Sequence, residues 1–167
     1  MYSFYINKKI IERLIFMNIL VPVDGSKTSK KALEKAIKIA QQNHGKIYIL
    51  NAIERIFLNV QAVVDFDMAK KQSKKLLKEY EDLVKGNNID CKTILEFGVA
   101  KKIIISNSYK YNADLIIIGR RGLNKLERFV VGSTSSYVIS HANMDVLVVS
   151  ENNQFQIGPN QPQEQPI

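Results

Sequence analysis

An α/β fold, in which a five-stranded parallel sheet carries helices on both faces, is what this sequence predicts, on three observations. Short β-branched runs alternate along the chain with longer stretches whose apolar residues recur at helical spacing. A glycine-bearing segment stands directly between one such run, residues 115–118, and a helical stretch. With 167 residues, 46% of them hydrophobic, the chain is long enough for one domain with its own core and short for two.

The elements follow in order. Residues 18–23 read as a buried strand, with Pro22 marking its end or a sheet edge. Asp24-Gly25-Ser26 is a turn, and Ser26, Thr28 and Ser29 compete to cap the helix behind it. That helix places Leu33, Ala36, Ile37 and Ala40 on one face and stops at Gly45. Residues 47–52 form the second strand. Residues 57–67 show no clear period. A long helix comes next, with Leu76, Leu77, Tyr80, Leu83 and Val84 as its inner stripe and Gly86 as its stop. Residues 90–96 make the third strand, Gly98 a turn, residues 103–111 a short helix and residues 114–118 the fourth strand. After the glycine segment, residues 133–141 make a helix and Val146 to Val149 the fifth strand.

Composition excludes several function classes. The net charge of +8 comes mostly from lysines on two helices, Lys30, Lys31, Lys35 and Lys38 on one and Lys70, Lys71, Lys74, Lys75 and Lys78 on the other. Acids are interspersed and no aromatic platform is interleaved, so a solvated face is favoured over a nucleic-acid surface. A single cysteine, Cys91, excludes an internal disulfide framework; its alternating context reads as a half-buried structural thiol, and such usage fits a cytoplasmic location. No apolar stretch reaches the roughly 20 residues of a membrane span. Of the two histidines, His44 and His141, neither has neighbours that make a triad or a metal set, and both read as exposed helix-end residues. No HExxH, CxxC or GxSxG occurs.

Domain organisation is simple. Residues 1–16 form an extension, read as dispensable, whose Ile10, Ile11, Leu14 and Ile15 sit at helical spacing among Lys8, Lys9 and Arg13. Charges interrupt that run and no small-residue cleavage site follows, which argues against a signal peptide. Residues 17–150 form the domain. Residues 151–167, rich in Gln, Asn and Pro, read as a disordered tail.

The functional signal is the spacing Gly119-x2-Gly122-x9-Gly132-Ser133. Gly119 lets the chain turn at the end of a strand and Gly122 lets backbone approach a ligand. Gly132-Ser133 falls at a helix start, where free N–H groups and roughly half a positive charge favour an anion. Neither the dinucleotide fingerprint nor the P-loop is present. A doubly wound sheet binds ligands at the carboxyl ends of its strands, and Asp24 and Gly119 both lie at such ends.

Residues 17–150 resemble a single-domain universal stress protein. The resemblance is carried by Asn18-Ile-Leu-Val-Pro-Val-Asp-Gly-Ser26, by the glycine motif, and by Val146-Leu-Val-Val149. It implies a Rossmann-like fold of the adenine nucleotide alpha hydrolase kind, in the branch that binds ATP. It further implies that backbone at Pro22, Val23 and Ala52, with Ile118, walls an adenine and that Asp24 meets the ribose or a phosphate-bound Mg. Gly119 and Gly122 would approach ribose and phosphates, and Gly132 and Ser133 would cradle the phosphates. Thr134 and Ser135 would add hydroxyls, and Arg121, with Arg120, Lys125 and Arg128, would draw the anion. No catalytic residue is implied. The expected activity is a nucleotide-dependent regulatory switch in a stress response, working with an unknown protein partner as a homodimer paired through the last strand. A slow ATPase and a dimeric scaffold without nucleotide are the alternatives. Each residue also has a purely structural reading: a turn for the glycines, a helix cap for Asp24 and Ser133. Two departures stand out: Met144-Asp145 where the family often has Pro, and Asn51 where His is common, which puts base-edge contacts there in doubt.

Overall fold

β-branched runs become strands and amphipathic stretches become helices in the computed structural model, which describes residues 16–54, 60–120 and 132–150. Five strands alternate with four helices: β1 (Asn18–Pro22), α1 (Lys27–Gln42), β2 (Lys46–Ile53), α2 (Val60–Lys85), β3 (Cys91–Phe97), α3 (Ala100–Lys110), β4 (Leu115–Gly119), α4 (Ser133–His141) and β5 (Asp145–Val149). All strand pairs are parallel, in the order β3-β2-β1-β4-β5. The extension before Phe16 and the tail after Ser150 lie outside the described residues.

Alternation along β1 sends Ile19 and Val21 to one face and Leu20 to the other. The first face packs on Leu33, Ala36 and Ile37 of α1 and on Leu77, Tyr80 and Val84 of α2. The second packs on Ile103 and Ile104 of α3 and Val138 of α4. Burial on both faces is why the strands read as nearly continuous apolar runs. Pro22 therefore ends a central strand, paired with Leu50, and does not mark an edge.

The structure departs from the sequence reading in three places. Residues 60–67 join α2, because the helix continues through a stretch whose apolar residues show no period of their own. Leu83 leaves the inner stripe and is 37% exposed, since Leu77, Tyr80 and Val84 centre the buried stripe and Leu83 falls beside it. There it lines a shallow groove against Lys30 and Glu34 of α1. The third helix starts at Ala100, where Ala-Lys-Lys carries no apolar signal.

Strand order reverses between β1 and β4. The chain moves outward from β1 through β2 to β3, then returns to β1's other side. At such a reversal a parallel sheet places its ligand crevice, outside the carboxyl ends of the two strands, here β1 and β4.

Candidate functional site

The first wall of the crevice is the loop behind β1. Val23 N donates to the Leu50 carbonyl at 2.8 Å, so the loop leaves along β2. Asp24 Oδ1 accepts from Ser26 N at 3.0 Å, and Gly25 takes a φ of +82° that favours glycine. Ser26 is the cap of α1: its Oγ accepts from Ser29 N at 3.2 Å and lies 3.1 Å from Thr28 Oγ1. Asp24 thus closes a turn and leaves the capping to Ser26. The start of α1 is occupied by its own side chains.

α4 starts differently. Its cap residue is Gly132 (φ −61°, ψ 152°), which has no side chain to fold over the first turn. The first helical bond runs from Ser136 N to the Gly132 carbonyl at 2.9 Å, so the amides of Ser133, Thr134 and Ser135 precede the helical ladder. No described residue accepts from these three. Ser133 is exposed and Thr134 half-buried, whereas Ser135 is 2% exposed. Ser135 Oγ lies 3.0 Å from both the Arg120 and the Gly132 carbonyls, so its hydroxyl donates inward. Gly132 N also donates to the Arg120 carbonyl at 3.0 Å, and Arg120 N to Val149 at 2.7 Å. These bonds tie the helix start to the end of β4. An open, positively polarised helix start at a sheet's reversal point is a place for an anion.

Gly119 has a role other than the expected turn. Its φ is not positive; among the described glycines only Gly25 and Gly98 are. A Cβ at Gly119 would instead stand 3.0 Å from both the backbone C and the Oγ1 of Thr28, and 3.1 Å from Ser29 N. The missing side chain lets β4 close against the first turn of α1.

Pro22, Ala52 and Ile118 fall on the α3/α4 side of their strands by alternation with Leu20, Leu50 and Ile116, and Val23 falls on the other side. Pro22 and Ala52 are half-buried, and Ile118 is 5% exposed. Arg121, Gly122, Lys125 and Arg128 lie outside the described residues. No group of three His, Cys, Asp or Glu is assembled among the described residues. His44 and His141 are exposed residues at helix ends, and His141 Nδ1 lies 2.9 Å from the Tyr137 carbonyl.

Asn51 has a task that residue spacing did not show. It is 6% exposed, and its Nδ2 donates to the Val23 carbonyl at 2.6 Å. The signal was an amide in a strand otherwise buried and apolar, where a polar side chain must find a partner.

A model of the universal stress protein family matches residues 16–150. A putative universal stress protein of Staphylococcus aureus (strain USA300) is 38% identical over 141 residues, 81% of this chain and 85% of that one. Among solved structures, universal stress protein UspA from Lactobacillus plantarum matches with a TM-score of 0.74 at 28% identity, covering 80% of this chain and 97% of that one. An Arabidopsis thaliana member of the family, solved with AMP bound, matches at a TM-score of 0.64 and 20% identity over 82% and 93% of the two chains. Another universal stress protein, in complex with cAMP, matches at 0.64 and 24% over 80% and 96%. At those last identities the likeness is one of fold. The sheet order, the glycine-capped helix start and a family match spanning β1 to β5 lead to one conclusion: the chain belongs to the universal stress protein family.

Proposed function

We propose that this protein is an adenine-nucleotide-binding regulatory module that takes ATP, with Mg, into the crevice between β1 and β4. The observation that carries the reading is the open start of α4, where three successive amides at Ser133, Thr134 and Ser135 have no described acceptor beside a side-chain-free cap. Relatives of the same fold solved with AMP and with cAMP support an adenine nucleotide as the anion. In this reading the backbone at Pro22, Val23 and Ala52, with Ile118, walls the base, and Gly119, Arg121 and Gly122 flank ribose and phosphates. The Ser133 amide and hydroxyl, helped by Thr134, hold the phosphates, and Gly132, whose own amide is committed to the Arg120 carbonyl, contributes its missing side chain. Ser135 contributes its amide, because its hydroxyl is already committed inward.

The residues present suit Mg held through phosphate. One carboxylate, Asp24, has one oxygen engaged by Ser26 N and a second available, and Mg commonly takes a single carboxylate plus phosphates and water. Mg bound there would neutralise phosphate charge. The sequence offers no obvious water-orienting residue, so binding rather than turnover is the function proposed. Nucleotide in the crevice would change the loop from Arg120 to Val131 and so alter what the homodimer recruits. Among the described residues β5 is an edge strand, paired with β4, and its half-buried Val146 to Val149 are the proposed homodimer seam.

Calorimetric titration of ATP with Mg into the full chain tests the reading. Saturable binding is expected, abolished by Gly132→Leu, whose φ of −61° tolerates a side chain without backbone strain. A folded protein that gives no heat at high ATP would make the glycine motif architectural and leave the dimeric scaffold as the reading. Phosphate release above the buffer rate, lost on Asp24→Ala, would establish the slow ATPase instead.

A further inference from the structure

We propose that Asn51 is a positioning residue for this crevice, fixing the peptide plane between Val23 and Asp24 and with it the direction in which the Asp24 carboxylate leaves the chain. The proposal rests on the nucleotide reading above. Asn51 is the polar residue in the buried end of β2, between Leu50 at 1% and Ile53 at 9% exposure. Its Nδ2 reaches the Val23 carbonyl at 2.6 Å. The nitrogen of that same peptide group, Asp24 N, has only a long contact of 3.4 Å to Ser29 Oγ. A peptide group is planar and rigid, so the bond to its oxygen orients its nitrogen and the Asp24 α-carbon together. The Asp24 side chain then closes its turn on Ser26 N at 3.0 Å, leaving the other carboxylate oxygen for a ligand.

The remaining atom of the amide supports this assignment. Asn51 Oδ1 is buried and no described group donates to it. The reversed amide would set Oδ1 against the Val23 oxygen, acceptor against acceptor, so the orientation follows from the carbonyl it serves. A buried acceptor without a donor costs stability. An apolar residue would avoid that cost but would leave the Val23 carbonyl unpaired and the plane unheld. The amide is therefore explained by what it orients more than by what it stabilises.

The test is a double-mutant cycle on the full chain, with ATP·Mg affinity by calorimetry and amide hydrogen exchange at Gly25 and Ser26. Asn51→Ala is expected to bind about tenfold more weakly, the size of one lost hydrogen bond, with faster exchange confined to the loop. Asn51→His, whose ring N–H can donate to the same carbonyl, is expected to recover most of both. Asn51→Ala combined with Asp24→Ala should bind no more weakly than Asp24→Ala alone, because the two residues act in series. Wild-type affinity in Asn51→Ala, or losses that simply add, would overturn the proposal. If the wild-type chain itself binds no ATP·Mg, the nucleotide reading is what fails. Exchange at Gly25 and Ser26 then still decides whether Asn51 holds the loop.

Discussion

Gly119 and Ser135 show how single residues build the crevice from opposite sides. At Gly119 an added methyl meets backbone, which cannot swing away, so Gly119→Ala is expected to cost about 1–3 kcal/mol in urea denaturation. A turn glycine with positive φ would have failed through strain; this one fails through contact. Ser135→Ala leaves the Arg120 carbonyl with the Gly132 amide as its remaining donor and is expected to lower stability by about 1 kcal/mol. Ser133→Ala, one turn edge away and exposed, should leave the urea midpoint unchanged and weaken nucleotide binding alone. Equal midpoints for the two serine variants would show that Ser135's inward bond contributes nothing. The resemblance implied a ligand-facing hydroxyl at both serines, because position along a helix start does not say which side of the first turn faces the sheet.

At the scale of elements, the two helix starts at the sheet's reversal differ by one side chain. Ser26 closes α1 with its own oxygen, while Gly132 leaves α4 open. A cap of the serine kind contributes about 1 kcal/mol, which α4 forgoes. α2 gives a second contrast. Its buried stripe is Leu77, Tyr80 and Val84, with Leu83 displaced into the groove beside α1. Leu77→Ala is expected to cost about 2–5 kcal/mol, and Leu83→Gln under about 0.5 kcal/mol, in the same denaturation assay. Comparable losses at both positions would mean that the groove closes over Leu83 in solution. Helical periodicity placed both leucines inward because they lie within one apolar arc. Only the angle at which α2 lies on the sheet separates them.

Across the whole molecule, ionisation points to lability in alkali. Burial raises the Cys91 thiol, whose Sγ lies 3.9 Å from the Glu81 carbonyl, and burial likewise raises Tyr48 and Tyr80. A hydrogen bond to Asp90 raises Lys46. Each group holds its proton more tightly folded than unfolded, so stability is complete below the ordinary values and falls as pH rises past them. The melting temperature is expected to hold up to about pH 9 and then to fall, with Cys91→Ala delaying the onset toward the tyrosine range. A flat profile to pH 11 would contradict the burial of Cys91 and Tyr80 and the half-burial of Tyr48. Glu81 runs the other way: its bond to Lys85 lowers it, and that contribution is lost as pH falls through the lowered value. Exposure and salt keep that term small. The same scale qualifies the charge reading. Tyr48 and Tyr111 stack at 4.7 Å with lysines over the rings, yet Lys46 is paired with Asp90 and Lys110 with Glu96. No described helix is long and apolar enough to cross a membrane.

The sequence alone determined the α/β class, the order of its elements and the place of Asp24 and Gly119 behind the carboxyl ends of two strands of one sheet. Periodicity reports which face of an element is apolar, and a parallel sheet places all carboxyl ends together. Tertiary structure decided what lies between elements. It showed that Gly119 is required by Thr28, that Ser135 turns inward, and that Asn51 donates to the Val23 carbonyl. Each of these is a contact between residues distant in the chain or on opposite sides of a turn. Such contacts are set by how helices seat on the sheet, which no local pattern of residue types encodes.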